Sequence, residues 1–156
     1  MLKATPGLVP PRPVRRAGFT PIVETVDPDH FASTLVHAVR REVVAVSPGR
    51  VAVIVTARRV TEIMEILNTN GVEAVDPRDH DSKGLGADLV VLSAEGANGL
   101  EFDAVIVVEP AQITARGSED PSQASPRGLR TLYVAMTRPT RRLAIVACGT
   151  LPDTLL

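Results

Sequence analysis

The chain has almost no lysine. Of its 17 basic residues, only Lys3 and Lys83 are lysines; the rest are arginine. A phosphate-binding P-loop needs Gly-Lys-Ser/Thr, because the lysine neutralises phosphate charge and the hydroxyl holds magnesium. Lys3 follows Leu2 and Lys83 follows Ser82, so neither fits and the chain lacks a P-loop. Tryptophan is absent, Tyr133 is the single tyrosine, and phenylalanine occurs 3 times, which leaves few faces on which bases can stack. The single cysteine, Cys148, excludes an intramolecular disulfide and fits a reducing cytoplasm. Apolar runs are too short for a membrane-spanning helix, and the first residues lack the apolar core of a signal peptide. The net charge of −1 gives no overall basic field of the kind that marks nucleic-acid binders.

What is present is an alternation of strand-like and helix-like segments. Residues 1–21 are rich in proline and arginine and predict an extended segment or linker. Ile22 to Val26 alternates like a short strand. Asp27 and Pro28 then read as the start of a helix, with Phe31, Leu35, Val39 and Val43 on one stripe. Val51 to Val55 is a continuous apolar run, as expected of a strand buried on both faces. Thr56 caps the next predicted helix, which carries Val60, Ile63, Met64 and Leu67 and stops at Gly71. Val72 to Val75, Leu89 to Leu92 and Ala104 to Val108 read as further strands. Asp76 to Gly86 and Ala111 to Arg127 read as polar loops. Gly128 to Thr137 is helical, Pro139 marks its end, Leu143 to Ala147 is a last strand, and 151–156 is a tail. Such alternation predicts a three-layer α/β domain over 22–150 with a mainly parallel sheet.

Three weaker signals carry no chemistry by themselves. Gly84-Leu85-Gly86 resembles part of a dinucleotide fingerprint but precedes a strand instead of following one. Glu109 ends a strand like a magnesium-binding acid, yet without a P-loop it reads as a solvated end of a core strand. His30, His37 and His80 lack the further ligands that a metal site needs.

Two segments say more. Asn98-Gly99-Leu100-Glu101-Phe102-Asp103 resembles motif V of UvrD/Rep-type superfamily 1 helicases, where Lys-Gly-Leu-Glu-Phe precedes a strand. Arg130-Thr131-Leu132-Tyr133-Val134-Ala135-Met136-Thr137-Arg138 resembles their motif VI. The strand Val51 to Val55 followed by Arg58 and Arg59 is similar to motif IV. The three stand in family order over roughly residues 50–147. Pro11 to Gly18 is also similar to a segment of HelD-type ATPases, which act on bacterial RNA polymerase. Asn98 replaces the family's usual lysine, Pro139 replaces an alanine, and Glu95 lies near the place of a motif V histidine.

The resemblance implies a RecA-like (P-loop NTPase-like) domain, the second motor domain of an ATPase. ATP and its Mg2+ would be held mainly by an N-terminal RecA-like domain of the same protein, which carries the P-loop; this domain alone would not hydrolyse ATP. Arg138 is then the arginine finger, and Arg58 or Arg59 a second contact to the γ-phosphate, since a guanidinium offers a rigid fork of donors to phosphate oxygens. Glu101 takes the ribose, Gly99 allows close backbone approach, and Arg130 joins the nucleotide-binding set. Tyr133 and Thr137 hold the motif VI helix in place. Single-stranded nucleic acid and, on the HelD side, RNA polymerase are the implied partners, with no membrane. Asn98 removes a cation from this face, so a degenerate interaction module without catalysis is the alternative. Each residue also has a plainer reading: Arg138 as a cation on a helix C-terminus, Arg58 and Arg59 as a solvated pair, Glu101 as a loop acid.

Overall fold

The computed structural model describes residues 20–77, 88–115 and 125–148. Within them the sheet has five strands, all parallel, in the order β1-β5-β4-β2-β3. The strands are β1 (Ile22–Thr25), β2 (Val51–Val55), β3 (Leu89–Ser93), β4 (Phe102–Val108) and β5 (Pro139–Ala147). The helices are α1 (Phe31–Val46), α2 (Val60–Thr69), α3 (Pro110–Thr114) and α4 (Pro126–Met136).

The strands are apolar throughout because both faces are covered. Val51, Val53 and Val55 of β2 pack with Leu35 and Val39 of α1 and Ile63 and Leu67 of α2. Ala52 and Ile54 point the other way, towards Ile113 of α3 and Leu132 and Ala135 of α4. Ala94 and Ala97, on the segment between β3 and β4, also cover this second face. The result is the three-layer arrangement of a RecA-like domain. A parallel sheet buried on both sides needs β-branched residues at nearly every position, and β2 and β4 supply them.

Strand β4 breaks its own alternation. Ala104, Ile106 and Val108 face α1 and α2, whereas Phe102 lies on the opposite face with Val105 and Val107. The pairing of β4 with β5 shifts register between Phe102 and Ala104. Asp103 sits at that irregularity. The backbone N–H groups of Asp103 and Ala104 both donate to the carbonyl of Arg50, at 2.9 and 3.2 Å. Such a bulge re-aims the side chain before it, here Phe102.

Several expectations shift. Val72 to Val75 contributes an isolated bridge, Val75 to Val90, instead of a strand. The stretch 111–127 is not wholly loop: α3 begins at Pro110, and α4 begins at Pro126, capped by Ser125, whose hydroxyl accepts the Gly128 N–H at 2.8 Å. Strand β5 starts at Pro139, four positions before the predicted Leu143. Proline lacks an N–H, but the first residue of a strand tolerates that. Asp27 and Thr56 hold extended backbone angles before their helices without a side-chain cap, each leading into a single 3-10 turn. The segment 1–19, most of the 76–86 loop with His80, Lys83, Gly84 and Gly86, and the tail 151–156 lie outside the described residues.

Candidate functional site

A parallel sheet has two unlike ends, and the sequence-predicted residues divide between them. At the amino-terminal end of the strands, the segments 98–103 and 129–138 meet. Arg138 follows α4 and precedes β5. Its carbonyl accepts the Phe102 N–H at 3.1 Å, which pairs the start of β4 with the start of β5. Its guanidinium spans three acceptors: Nε donates to Val134 O at 3.2 Å, Nη1 to Leu100 O at 3.2 Å, and Nη2 to Thr137 Oγ1 at 3.0 Å. A guanidinium has five N–H donors, so two remain for a ligand.

Thr137 stiffens this arrangement. Its hydroxyl donates to Val134 O at 2.7 Å while accepting from Arg138. Tyr133 stands on α4 with about 41% of its surface exposed. Gly99 holds φ of +84, a left-handed conformation open to glycine at little cost, and a Cβ there would meet no atom within 4 Å. Open space and a bare backbone leave room for close approach. Glu101 is exposed beside it, whereas Leu100 and Phe102 anchor the loop in the core. Arg130 is exposed on α4, about two helical turns before Arg138. The chain does not bring the guanidinium groups of Arg130 and Arg138 to one point through any contact among the described residues.

Arg58 and Arg59 stand at the opposite end, after β2. Arg59 donates to both carboxylate oxygens of Glu62, at 3.0 and 2.8 Å, and to Gln112 at 3.3 Å. It also pairs with Glu109 at 3.5 Å and lies over the Phe31 ring, 5.3 Å from its centroid. The bond to Glu62 raises the Arg59 pKa against the opposing effect of burial, and the same bond lowers that of Glu62. Arg58 is exposed. The length of β4 from Phe102 to Glu109 separates Arg59 from Arg138 by roughly 20 Å. One phosphate cannot touch both. Within this arrangement Arg58 and Arg59 do not converge with Arg138, and Arg59 gives three of its five N–H groups to Glu62 and Gln112 besides its contact with Glu109.

Glu109 is not the solvated strand end that its sequence suggests. It holds φ of 53, the one positive value among the described non-glycine residues. Its carboxylate accepts the Cys148 N–H at 3.0 Å and meets Arg59. Burial, and then the neighbouring Glu109 charge, push the Cys148 thiol up to about 11. A depression of about 590 Å³ opens beside Cys148, lined in part by Asp27, His30 and Thr34, and it holds none of the predicted site residues. His30 and His37 are exposed, and no metal-holding group of His, Cys, Asp or Glu occurs among the described residues. No helix among them is long and apolar enough to cross a membrane.

Sequence reasoning missed Arg50 and Asp103. Asp103 Oδ2 accepts the Arg50 N–H at 2.7 Å, and the Arg50 guanidinium lies 4.9 Å from the Phe102 ring centroid. The available signal was an acid placed between Phe102 and an apolar run, which marks a bulge. Arg50 itself precedes β2 without any motif to flag it.

No protein-family model and no curated protein matches the chain. Among solved structures, it is similar to the C-terminal domain of a possible DNA helicase from Lactobacillus plantarum WCFS1. The TM-score is 0.67 at 22% identity, over 91% of this chain and 82% of that one. At this identity the likeness establishes the shared fold.

Proposed function

We propose that this is the second RecA-like motor domain of an ATP-dependent helicase or translocase of superfamily 1, of UvrD/Rep or HelD type. The observation that carries the reading is the meeting of the two motif-bearing segments at one edge. Arg138, from the end of α4, bonds Leu100 O and pairs with Phe102, beside exposed Glu101 and open Gly99. The likeness in fold to the C-terminal domain of a possible DNA helicase supports the assignment.

The residues at this edge fit a nucleotide. Arg138 has two uncommitted N–H groups for phosphate oxygens, Glu101 offers an acceptor to a sugar hydroxyl, and Gly99 admits close approach. ATP would supply the phosphoryl-transfer chemistry, with Mg2+ held by a separate P-loop domain. Arg138 would stabilise charge on the transferring phosphoryl group when the two domains close. Glu101 orients and Gly99 makes room. Arg130, exposed on α4, is free to meet the facing domain or strand phosphates. Single-stranded nucleic acid is the proposed track and RNA polymerase the proposed partner of the HelD alternative, in the cytoplasm.

One observation favours the second reading, an interaction module without catalysis. Three donors of Arg138 are turned inward onto Val134, Leu100 and Thr137, which is also what a purely structural helix-end arginine does. Arg138→Ala decides between them when assayed in the motor assembled with its P-loop domain. The motor reading expects turnover to fall by about a thousandfold with ATP binding kept. Unchanged turnover would remove Arg138 from the reaction.

A further inference from the structure

Arg50 carries two buried nitrogens, Nε and Nη2, without a hydrogen-bond partner. Its guanidinium rests over the Phe102 ring instead. A ring face returns part of what a guanidinium loses on leaving water, but it does not replace directional acceptors. Arg41 also has one orphan nitrogen, yet its other donors reach Glu24 and Glu42. Arg50 has no ion pair among the described residues. The carboxylates of its edge leave it free: Asp103 takes the Arg50 backbone N–H, not the side chain, and Asp88 and Glu101 are exposed.

Position makes this unpaired cation informative. Arg50 precedes β2 and Arg138 precedes β5, and these strands are the two neighbours of β4. Two strand spacings, roughly 10 Å, separate them across the sheet, and the register sets Arg138 about three residues, roughly 10 Å, further towards the amino-terminal end, a gap that two extended arginine side chains and a phosphate chain can bridge. Both contact the same short segment: Arg50 through the Phe102 ring, Arg138 through Leu100 O and the Phe102 N–H. The bulge at Asp103 creates the arrangement, because it turns Phe102 onto the face that α4 also covers.

We propose that Arg50 and Arg138 form a two-arginine site for the phosphate chain of a nucleoside triphosphate, straddling residues 100–102. Arg50 leaves the Phe102 ring and gives its unpaired donors to phosphate oxygens. The proposal rests on the motor reading, since it takes the Arg138 edge as the nucleotide edge.

The test titrates sodium tripolyphosphate into the chain at low salt by calorimetry, for wild type, Arg50→Gln and Arg138→Gln, each with a thermal melt. Each substitution should weaken binding by about tenfold, as expected for loss of charge-assisted bonds. Arg50→Gln should melt at or above the wild-type temperature, because it removes buried unpaired donors. Wild-type affinity in Arg50→Gln with loss in Arg138→Gln overturns the role of Arg50 and leaves the motor reading standing. Loss in Arg50→Gln with wild-type affinity in Arg138→Gln overturns the paired site and counts against the motor reading. If Arg50→Gln lowers Tm by more than about 5 °C, Arg50→Lys, which keeps a cation over the ring, decides. Intermediate affinity supports the guanidinium contact, and wild-type affinity overturns it. A thymidine oligonucleotide that binds more tightly than tripolyphosphate, and loses that affinity in Arg50→Gln, reassigns the site to strand phosphates and overturns the proposal.

Discussion

Replacing Glu42 by glutamine should cost the domain about 2–3 kcal/mol at neutral pH, and that cost should fade in acid. Glu42 lies on α1 with no solvent exposure. Its Oε1 accepts from Arg142 Nε at 2.6 Å, and its Oε2 accepts from Arg142 Nη2 at 3.3 Å and Arg41 Nε at 2.9 Å. Arg41 continues to Glu24 of β1 at 3.3 Å. The network thus ties α1 to β5 and β1. Breaking a buried ion pair costs roughly 3–5 kcal/mol, because a charge is left without compensation. Here the arginine side chains are 36% and 25% exposed, so water replaces part of what is lost, and glutamine keeps one acceptor oxygen. Burial alone would raise the Glu42 pKa; the bonds from Arg142 and then Arg41 outweigh it and hold it below the ordinary 4.5. A carboxyl depressed in the folded state contributes its full stability above that ordinary value. The contribution is lost as pH falls through the lower folded-state pKa. Urea unfolding from pH 7 to pH 3, followed by circular dichroism, should show the gap between wild type and Glu42→Gln closing. A cycle with Arg142→Gln should give a coupling of at least about 1 kcal/mol. A gap under about 0.5 kcal/mol at pH 7, or one constant down to pH 3, would refute the reasoning.

Three further outcomes follow from the same contacts. In Gly128→Ala the added methyl would overlap the carbonyl of Thr114, so α4 must move off α3; a thermal melt should report a loss of about 2–3 kcal/mol. The Cys148 thiol, pushed up to about 11, should react slowly with Ellman's reagent at pH 8, and the rate should climb about tenfold per pH unit towards pH 10. A half-time near that of free cysteine at pH 8 would contradict its burial beside Glu109. Arg59→Ala strips the partner from Glu109 and should cost about 1–2 kcal/mol by melting. Nucleotide affinity should stay within about twofold of wild type, because Arg59 lies at the other end of the sheet; a tenfold loss would place the nucleotide there instead.

The layering of the fold was legible because burial on both faces writes itself into sequence. Val51 to Val55 matched the observed strand residue for residue, since a five-residue apolar run between turn signals has few other uses. The helix stripes from Phe31 and Val60 were legible for the same reason. Strand β5 was underread at its start because Thr140, Arg141 and Arg142 look like surface, although Arg142 is there to reach buried Glu42. Val72 to Val75 was overread, since β propensity alone cannot say whether a partner strand lies alongside. At the site, the pairing of segments 98–103 and 129–138 was legible from motif order. The separation of Arg59 from Arg138 was not, because sequence order carries no record of which end of a strand a loop leaves from.

Topology and charge point to different ends of this sheet, and the proposed site follows charge. In open parallel sheets ligands favour the crevice outside the carboxyl ends, where successive connections run in opposite directions. Here that crevice lies between β2, whose chain turns towards β3, and β4, whose chain turns towards β5. Arg59 and Glu109 fill it. But Arg59 is matched there by Glu62 and Glu109, with Asp27 and Asp29 near the same end, so a phosphate would meet a net negative surround. At the amino-terminal end, Arg138 keeps two donors in reserve and Arg50 has two without any partner. A domain that holds its own nucleotide needs the crevice, with a P-loop in it. On the motor proposal, a domain that completes the site of another needs uncommitted cations at its edge, and Arg138 and Arg50 stand around residues 100–102, Arg50 becoming available once it leaves the Phe102 ring. If Arg59→Ala and Arg138→Ala are compared for tripolyphosphate binding, the loss should fall on Arg138 alone; a loss falling on Arg59 would return the site to the crevice.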